Sequence, residues 1–409
     1  MSRCCILILF LLCLGCSPVP ELIRQGDELA AQKKYKEALV TYAEADSHET
    51  DTCQGLLRAA DLQLKLGRPG IALKAFEQAL EKVPESSAAY VGIARTYMAK
   101  KVYSMAIQAL DKAAKLAPED AEPWFTKGMI LKDQGKNAEA VVAFENAIRR
   151  NTMHTQAHIK RGDIFFSEGD LKKAIKAYTL AVASEPNNSE ALVQVGRTYL
   201  LAKQYKPALR TLQKAVSVNR RNAWAQFYLG EAQYYNKMTD KAVMSYQSAL
   251  RLDRNLGMAY VRLGQIYESN LMRDRAYDAF QRSVKVDPNC VEGYLNLARV
   301  QLDRGQKGDA SRTLQKALKI GAECLPCRVL LGRLHLERRK YKAALQVLEL
   351  VIQKDYQNNE AHFYLGQAYL GLGMIAKATA EYNALALAND EDRANALLQL
   401  INDKKSRRR

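Results

Sequence analysis

The sequence contains little of what marks a disordered or fibrous chain. Its 409 residues include only 10 prolines, 22 glycines and 2 tryptophans, and 48% of the residues are hydrophobic. Disordered and collagen-like chains are rich in proline and glycine and poor in apolar residues. The composition therefore predicts a chain that is ordered almost throughout. The length would ordinarily suggest two or three globular domains, but a repeat array can form one elongated body.

Motifs for catalysis are also missing. The sequence has no G-x-S-x-G elbow and no H-E-x-x-H segment. Gly135-Lys136 lacks both the upstream glycine and the following hydroxyl residue of a phosphate loop. We therefore predict a protein that is not an enzyme, that has no cofactor or metal site, and for which a small-molecule substrate is not expected.

Acidic residues are outnumbered. Lys and Arg total 61 against 44 Asp and Glu, which gives a formal net charge of +17. This excess favours acidic proteins, anionic lipid or polyanionic polymers as partners. Aromatic residues make up 8% of the chain without a recognisable nucleic-acid-binding motif, so specific nucleic-acid binding is not expected.

Only the N-terminus carries a long apolar run. It extends from Cys4 to Gly15 behind a single charge, Arg3. Twelve residues are too few to span a bilayer, which needs about 20, but they suit the apolar part of a signal peptide. We predict a signal peptide over residues 1–15, with export of the rest.

The end of this run, Cys13-Leu14-Gly15-Cys16-Ser17, resembles the lipobox of bacterial lipoproteins. The resemblance implies lipidation of Cys16, with residues 16–18 as anchor and short linker. Ser17 implies the outer membrane of a Gram-negative cell, facing the periplasm. Cys13 stands where that family usually has leucine, so secretion in soluble form and a retained membrane anchor stay open as alternatives.

A 34-residue period runs through the rest of the chain without an insertion. We number each repeat from 1 to 34, with Val19 as position 1 of repeat 1. Position 20 is always alanine: Ala38, Ala72, Ala106, Ala140, Ala174, Ala208, Ala242, Ala276, Ala310, Ala344 and Ala378. Position 8 is always Gly or Ala, which predicts a close crossing of two helices. Position 24 always holds a large apolar or aromatic residue, one helical turn beyond the alanine.

This pattern, with Pro84, Pro118, Pro186 and Pro288 at position 32, resembles the tetratricopeptide repeat. The resemblance covers residues 19–392 and implies an all-α fold. The expected architecture is an α-solenoid, a right-handed superhelix of eleven helix-turn-helix repeats whose inner wall is built by the first helix of each pair. Residues 393–409 are expected to form a capping helix, over 393–401, and a basic tail that is more often simply solvated than bound to lipid or polymer.

The family's ligand groove is lined by positions 2, 5, 9, 12 and 13. Position 5 is apolar in every repeat. Position 9 is mixed, with Asp27, Asp61, Asp163 and Glu231 among Arg95, Arg197, Arg299 and Arg333. The resemblance therefore implies a protein partner with apolar side chains and scattered charges, and not the acidic tail gripped by chaperone-binding members through lysine at position 5.

Repeat 7 carries the most distinctive candidate site. Its first helix contains Trp224, Phe227, Tyr228, Glu231, Tyr234 and Tyr235. Aromatic clusters supply binding hot spots, although aromatic residues at helical spacing are more often core. In particular, Phe227 could be core, and Tyr234 could fill the aromatic position next to Gln233.

The cysteines and histidines leave further alternatives. Cys324 and Cys327 form a C-x-x-C at the start of a predicted helix, which fits a structural disulfide, idle thiols, or a redox or metal site. The five histidines never lie at metal-ligand spacing from acids or cysteines. His158 and His362 occupy a position that is often aromatic in the family, so we expect them in the core.

A non-catalytic scaffold for protein partners is the leading functional hypothesis. Lipidated repeat proteins of this kind assist type IV pili and secretion systems, so the resemblance implies a role in such an envelope machine. Two alternatives remain at this stage: a periplasmic thiol-disulfide factor using Cys324 and Cys327, and a binder of acidic polymer or lipid.

Overall fold

A computed structural model describes residues 17–48 and 52–406. Over these ranges the chain forms 23 α-helices and no strand. They are α1 (Val19–Ala31), α2 (Tyr35–His48), α3 (Gln54–Lys65), α4 (Pro69–Lys82), α5 (Ser87–Ala99), α6 (Tyr103–Leu116), α7 (Glu122–Asp133), α8 (Asn137–Arg150), α9 (Thr155–Ser167), α10 (Leu171–Ser184), α11 (Ser189–Leu201), α12 (Tyr205–Val218), α13 (Ala223–Tyr235), α14 (Thr239–Leu252), α15 (Gly257–Ser269), α16 (Arg273–Val286), α17 (Val291–Asp303), α18 (Lys307–Ile320), α19 (Leu325–Glu337), α20 (Tyr341–Lys354), α21 (Asn359–Gly371), α22 (Ile375–Leu387) and α23 (Glu391–Ser406). The first 22 helices form the eleven predicted pairs, which confirms the all-α solenoid fold.

The ends of the first helices are set by two repeat positions. At position 34, side chains such as Asn188 and Asn358 accept a hydrogen bond from the backbone N–H three residues later and so cap the next first helix. At position 15, every repeat has a residue with positive φ, which ends the first helix and turns the chain into the second. Five of these residues are glycine, and Leu271 is one of the exceptions.

The conserved spacing of alanines and large residues builds the core. Every position-20 alanine is fully buried. In six repeats the position-24 side chain packs over the glycine at position 8 of the same repeat: a Cβ added to Gly230, for example, would lie 2.7 Å from the Tyr246 ring. This contact confirms the close helix crossing that the sequence predicted.

The helices contact one another within two compact units that divide between Thr211 and Leu212, inside α12. In the first unit the first helices α1, α3, α5 and α7 contact in succession, and each packs on its second helix. In the second unit α15 contacts α17, and α19 contacts α21. Successive first helices therefore form a shared face in each unit.

The closing helix is longer than predicted. The expected span of 393–401 was too short, because α23 runs over Glu391–Ser406 and buries Ala394, Leu397 and Ile401 against α21 and α22. Leu397 lies over Gly366, whereas in six other repeats the glycine at position 8 is covered by the position-24 side chain of its own repeat. Lys404 and Lys405 belong to the last helical turn and not to a tail, and positive charge is favourable there.

The other predictions about the chain termini fall on residues outside the described ranges. These are the signal peptide over 1–15, the lipidated Cys16 and the final arginines at 407–409. Across residues 17–48 and 52–406, no helix has both the length and the hydropathy required to cross a bilayer.

Candidate functional site

We define the first-helix face as positions 2, 5, 9, 12 and 13 of the first helices. The prediction that position 5 supplies an apolar wall to this face was wrong for most repeats. Seven of these side chains are at most 8% exposed: Ile23, Val91, Ile159, Val193, Phe227, Val261 and Val329. They are covered because they pack with the core of their own and neighbouring repeats. The accessible part of the face is consequently more polar than its sequence indicated.

Three of the acidic residues at position 9 are already bonded to tyrosines. The hydroxyl of Tyr42 donates to Asp27 at 2.7 Å, and that of Tyr178 donates to Asp163 at 2.9 Å. The hydroxyl of Tyr246 donates to Glu231 at 2.5 Å. Burial, together with the neighbouring carboxylate, raises the pKa of each tyrosine above its usual range. The pairs are always 15 residues apart, so joint inspection of positions 9 and 24 could have revealed them in the sequence.

Ion pairs join successive first helices along the same face. Arg262 on α15 donates to Glu231 on α13 at 3.0 Å and to Glu292 on α17 at 2.7 Å. In the first unit, Arg95 on α5 donates to Glu122 on α7 at 2.6 Å and lies 4.0 Å from Asp61 on α3. Part of the charge on the face therefore holds repeats together and is not available to a ligand.

The predicted arginines at position 9 differ in how free they are. The Arg197 guanidinium lies over the Phe166 ring at 4.3 Å from its centroid. Arg333 pairs with Glu337 one turn later at 3.2 Å. Arg299 is exposed. Arg197 and Arg333 therefore already contact other side chains of this protein, whereas Arg299 is exposed to solvent.

The aromatic candidates of repeat 7 separate into core and surface. Phe227 is 5% exposed and packs with Tyr246, whereas Trp224, Tyr234 and Tyr235 are 47%, 43% and 43% exposed. Trp224 stacks on the partly buried Tyr228 at 5.8 Å between ring centroids. The Tyr234 and Tyr235 rings meet edge-on at 5.6 Å. Helix α13 thus presents an aromatic surface, which we define as Trp224, Tyr228, Tyr234 and Tyr235.

Tyr234 does not fill the core position next to it. That position is kept by Gln233, which is buried and accepts a hydrogen bond from the Ser245 hydroxyl at 2.7 Å. Repeat 9 has the same arrangement, with the Thr313 hydroxyl donating to Gln301 at 2.8 Å. In both repeats a buried, hydrogen-bonded polar pair fills the core position where an aromatic ring would otherwise lie. Tyr234 therefore stays at the surface.

A pocket of about 540 Å³ lies where the first-helix face meets the closing helix. Its walls include Arg333, Leu370 and Tyr364 from α19 and α21, and Leu400 and Lys404 from α23. It combines apolar side chains with charges of both signs. The predicted residue Arg333 therefore lines a real concavity.

Cys324 and Cys327 are joined by a disulfide at the start of α19, with 5.3 Å between their Cα atoms. Cys324 is the N-cap residue and Cys327 is fully buried. The bond closes a loop of only a few residues, so it removes little chain entropy from the unfolded state. Because Cys327 is buried, the Cys324 sulfur is the more accessible of the two. Within the described ranges, no group of three His, Cys, Asp or Glu side chains is placed to hold a metal ion.

The comparison with protein families agrees with this architecture. Profiles of the tetratricopeptide repeat match residues 57–121, 125–189, 165–229, 224–255, 259–290 and 329–395. Together these matches span well over half of the chain. The protein is therefore a helical-repeat solenoid, and it belongs to the tetratricopeptide repeat family. Proteins of this family generally mediate protein–protein interactions, and their fold is typically a non-catalytic scaffold.

The solved structures that match this chain are distant from it in sequence. The APC/C hetero-tetramer Cut9-Hcn1 is 14% identical, with 96% of this chain and 98% of that chain covered and a TM-score of 0.47. PilF of Pseudomonas aeruginosa is 20% identical, with coverage of 51% and 97% and a TM-score of 0.46. MamA protein is 27% identical, with coverage of 41% and 92% and a TM-score of 0.34. No curated protein matched the chain.

Proposed function

We propose that this protein is an exported, lipid-anchored scaffold that binds a protein partner through the first-helix face of repeat 7. Its role would be to assist the assembly or stability of an envelope machine of the type IV pilus or secretion type. The aromatic surface of α13 is the observation that carries the binding part of this proposal. The N-terminal apolar run and Cys16 support the location.

The aromatic surface has the properties of a binding hot spot. Its rings are large and partly fixed by contacts with one another, and three of the four are exposed on one short helix. Rigid aromatic side chains lose little conformational entropy when a partner covers them. Exposed apolar surface of this kind on a folded protein marks interaction sites more often than isolated apolar residues do.

The charges nearby favour a protein partner over a small molecule. The carboxylate of Glu231 on the same helix is already bonded to Tyr246 and Arg262, so the accessible part of α13 offers rings and not a polar cage. Protein interfaces typically combine such aromatic anchors with a polar rim.

Crosslinking in cells tests the binding site. A photoreactive amino acid placed at Trp224 should trap a specific partner, whereas the same amino acid at Met244 should not. Met244 is the matched control because it is 67% exposed on α14, the second helix of the same repeat. Equal crosslinking from both positions, or none from Trp224, would contradict the proposed site.

The anchor is tested separately. Cys16→Ser should abolish labelling of the protein by a fatty-acid analogue, because the thiol that would carry the lipid is gone. Ser17→Ala is the control, because a small uncharged residue after the cysteine should preserve lipidation. Fatty-acid labelling that persists in the Cys16→Ser variant, or that is missing from the wild type, would argue against the lipid anchor while leaving the binding site untouched.

A further inference from the structure

A second concavity lies away from the first-helix face, between the second helices of repeats 7 and 8. It has a volume of about 900 Å³ and is bounded by α14, α15 and α16. Four arginines line it: Arg251, Arg254, Arg275 and Arg282. We call this concavity the arginine pocket. Tyr260 and Tyr267 of α15 also line it, from positions that do not belong to the first-helix face.

The four arginines have little to neutralise them. Across residues 17–48 and 52–406, no ion pair within 4.0 Å involves any of their guanidinium groups. Arg251 donates to the Ser248 hydroxyl at 2.7 Å, and Arg275 lies 3.8 Å from the Met272 sulfur, both uncharged partners. Asp278 is the one acidic residue in the lining. Like charges that face one concavity repel each other unless an anion enters.

The repeat register shows that this charge is specific to one junction. The four arginines occupy positions 29 and 32 of repeat 7 and positions 19 and 26 of repeat 8. At the other nine junctions, the same four positions hold at most two cationic side chains. At the junction of repeats 2 and 3, for example, they are Glu81, Pro84, Met105 and Lys112. The excess of Lys and Arg over the whole chain therefore does not explain the pocket.

We propose that the arginine pocket binds an oligophosphate group. Guanidinium groups bond phosphate oxygens in a two-pronged geometry, and a chain of two or three phosphates places several negative charges within a pocket of this size. An extended acidic peptide fits less well, because its successive side chains point to opposite sides and only alternate ones would enter. The phosphates could be free in solution or carried by lipid headgroups.

Binding of inorganic tripolyphosphate to the full chain, measured by calorimetry, tests the pocket. The Arg251→Gln/Arg275→Gln variant should bind at least about tenfold more weakly, since each lost charge-assisted bond contributes substantially. The control is Arg149→Gln/Lys173→Gln, which removes the same charge from the same two repeat positions at the junction of repeats 4 and 5. All four side chains are exposed, so circular dichroism should show unchanged helix content.

Binding to vesicles decides the source of the phosphate. The vesicles are phosphatidylcholine with and without about 30% cardiolipin, a fraction that makes the surface strongly anionic. Pocket-dependent binding to tripolyphosphate alone indicates a soluble oligophosphate, and pocket-dependent binding to the cardiolipin vesicles indicates a headgroup. Either result supports the proposal. Equal weakening by both double variants, tighter binding of a pentaglutamate peptide, or no binding of either phosphate probe would overturn it. None of these results bears on the proposed partner site of α13.

Discussion

Two histidines at position 4 of their repeats show how one neighbour changes a residue's chemistry. His362 and His158 are both 3% exposed, as expected for core residues. His362 Nδ1 lies 2.6 Å from a Glu381 carboxylate oxygen, and its Nε2 lies 2.8 Å from the Tyr356 carbonyl oxygen. His158 Nε2 makes the equivalent carbonyl contact with Thr152, but position 23 of its repeat is Ala177 in place of a glutamate.

These surroundings shift the two pKa values in opposite directions. The hydrogen bond with Glu381 raises the pKa of His362, with further support from the Tyr356 carbonyl and the charges of Glu381 and Asp355. Burial lowers the pKa of His158. In an NMR titration, His362 should therefore titrate above the ordinary value of about 6.5 and His158 below it. Glu381→Ala should lower the pKa of His362 towards that of His158. An unchanged titration of His362 in this variant would contradict this account.

The sign of the pH effect on stability follows from the raised pKa of His362. Its contribution is fully present below the unfolded-state pKa of about 6.5 and is lost as pH rises through the higher folded-state value. Urea denaturation of the wild type should show this loss as the pH rises above about 6.5, and His362→Gln should remove it. His158→Gln is the control. It should leave the loss of stability above about pH 6.5 unchanged, because the lowered pKa of His158 affects stability only below about pH 6.5.

Gly230 tests the small residue at position 8. An added Cβ would lie 2.7 Å from the Tyr246 ring, so Gly230→Ala should lower the free energy of unfolding by about 2 kcal/mol. Gly70→Ala on α4 is the control, because no atom would lie within 4 Å of its Cβ. It should be neutral or slightly stabilising. Equal effects of the two changes in urea denaturation would show that the ring contact is unimportant.

At the scale of helices, the tyrosine–acid pairs tie the first and second helices of a repeat together. A double-mutant cycle with Tyr178→Phe and Asp163→Asn should give a coupling energy of about 2 kcal/mol, as expected for a hydrogen bond to a charged acceptor. Urea denaturation measures it. The control pair is Phe144 and Met129, which occupy the same two positions in repeat 4 without a hydrogen bond. A double-mutant cycle that replaces them with other apolar residues of similar size should show no such polar coupling. A coupling energy near zero would show that Tyr178 and Asp163 stabilise the repeat through packing and not through their hydrogen bond.

The closing helix protects the last repeat. Removing residues 391–409 uncovers Gly366 and the apolar surface beneath Leu397. Hydrogen exchange in α21 and α22 should then accelerate, while exchange in α3 and α4 stays as it was, because each repeat contacts only its neighbours. Removing only residues 404–409 is the control and should have little effect. Uniform acceleration along the chain would instead indicate global cooperativity.

For the whole molecule, the unbroken period makes a complete repeat the natural unit of deletion. Deleting residues 155–188 removes repeat 5 and keeps the register, so the product should retain the wild-type helix content per residue by circular dichroism, with a lower melting temperature. Deleting residues 155–171 removes about half a repeat and places unlike helix faces together. That product should lose helix content or aggregate; equal folding of both products would contradict the neighbour-stacking account.

The fold was predictable from the sequence because its interactions recur at fixed spacing. The alanines at position 20 and the small residues at position 8 identified the number of pairs and their core positions. The binding surface was less predictable. Position 5 was expected to be exposed but is mostly core, and Glu231 was expected to face a ligand but is held by Tyr246 and Arg262.

The sequence by itself determined the repeat register, the helices and the buried positions, because each of these depends on contacts within one or two adjacent repeats. Only the tertiary structure decided which polar side chains are left for partners. Arg262 reaches Glu231 from 31 residues away, and the arginine pocket draws on three helices. Such arrangements depend on where side chains from separate repeats meet in space, and a single-repeat pattern carries no record of those distances.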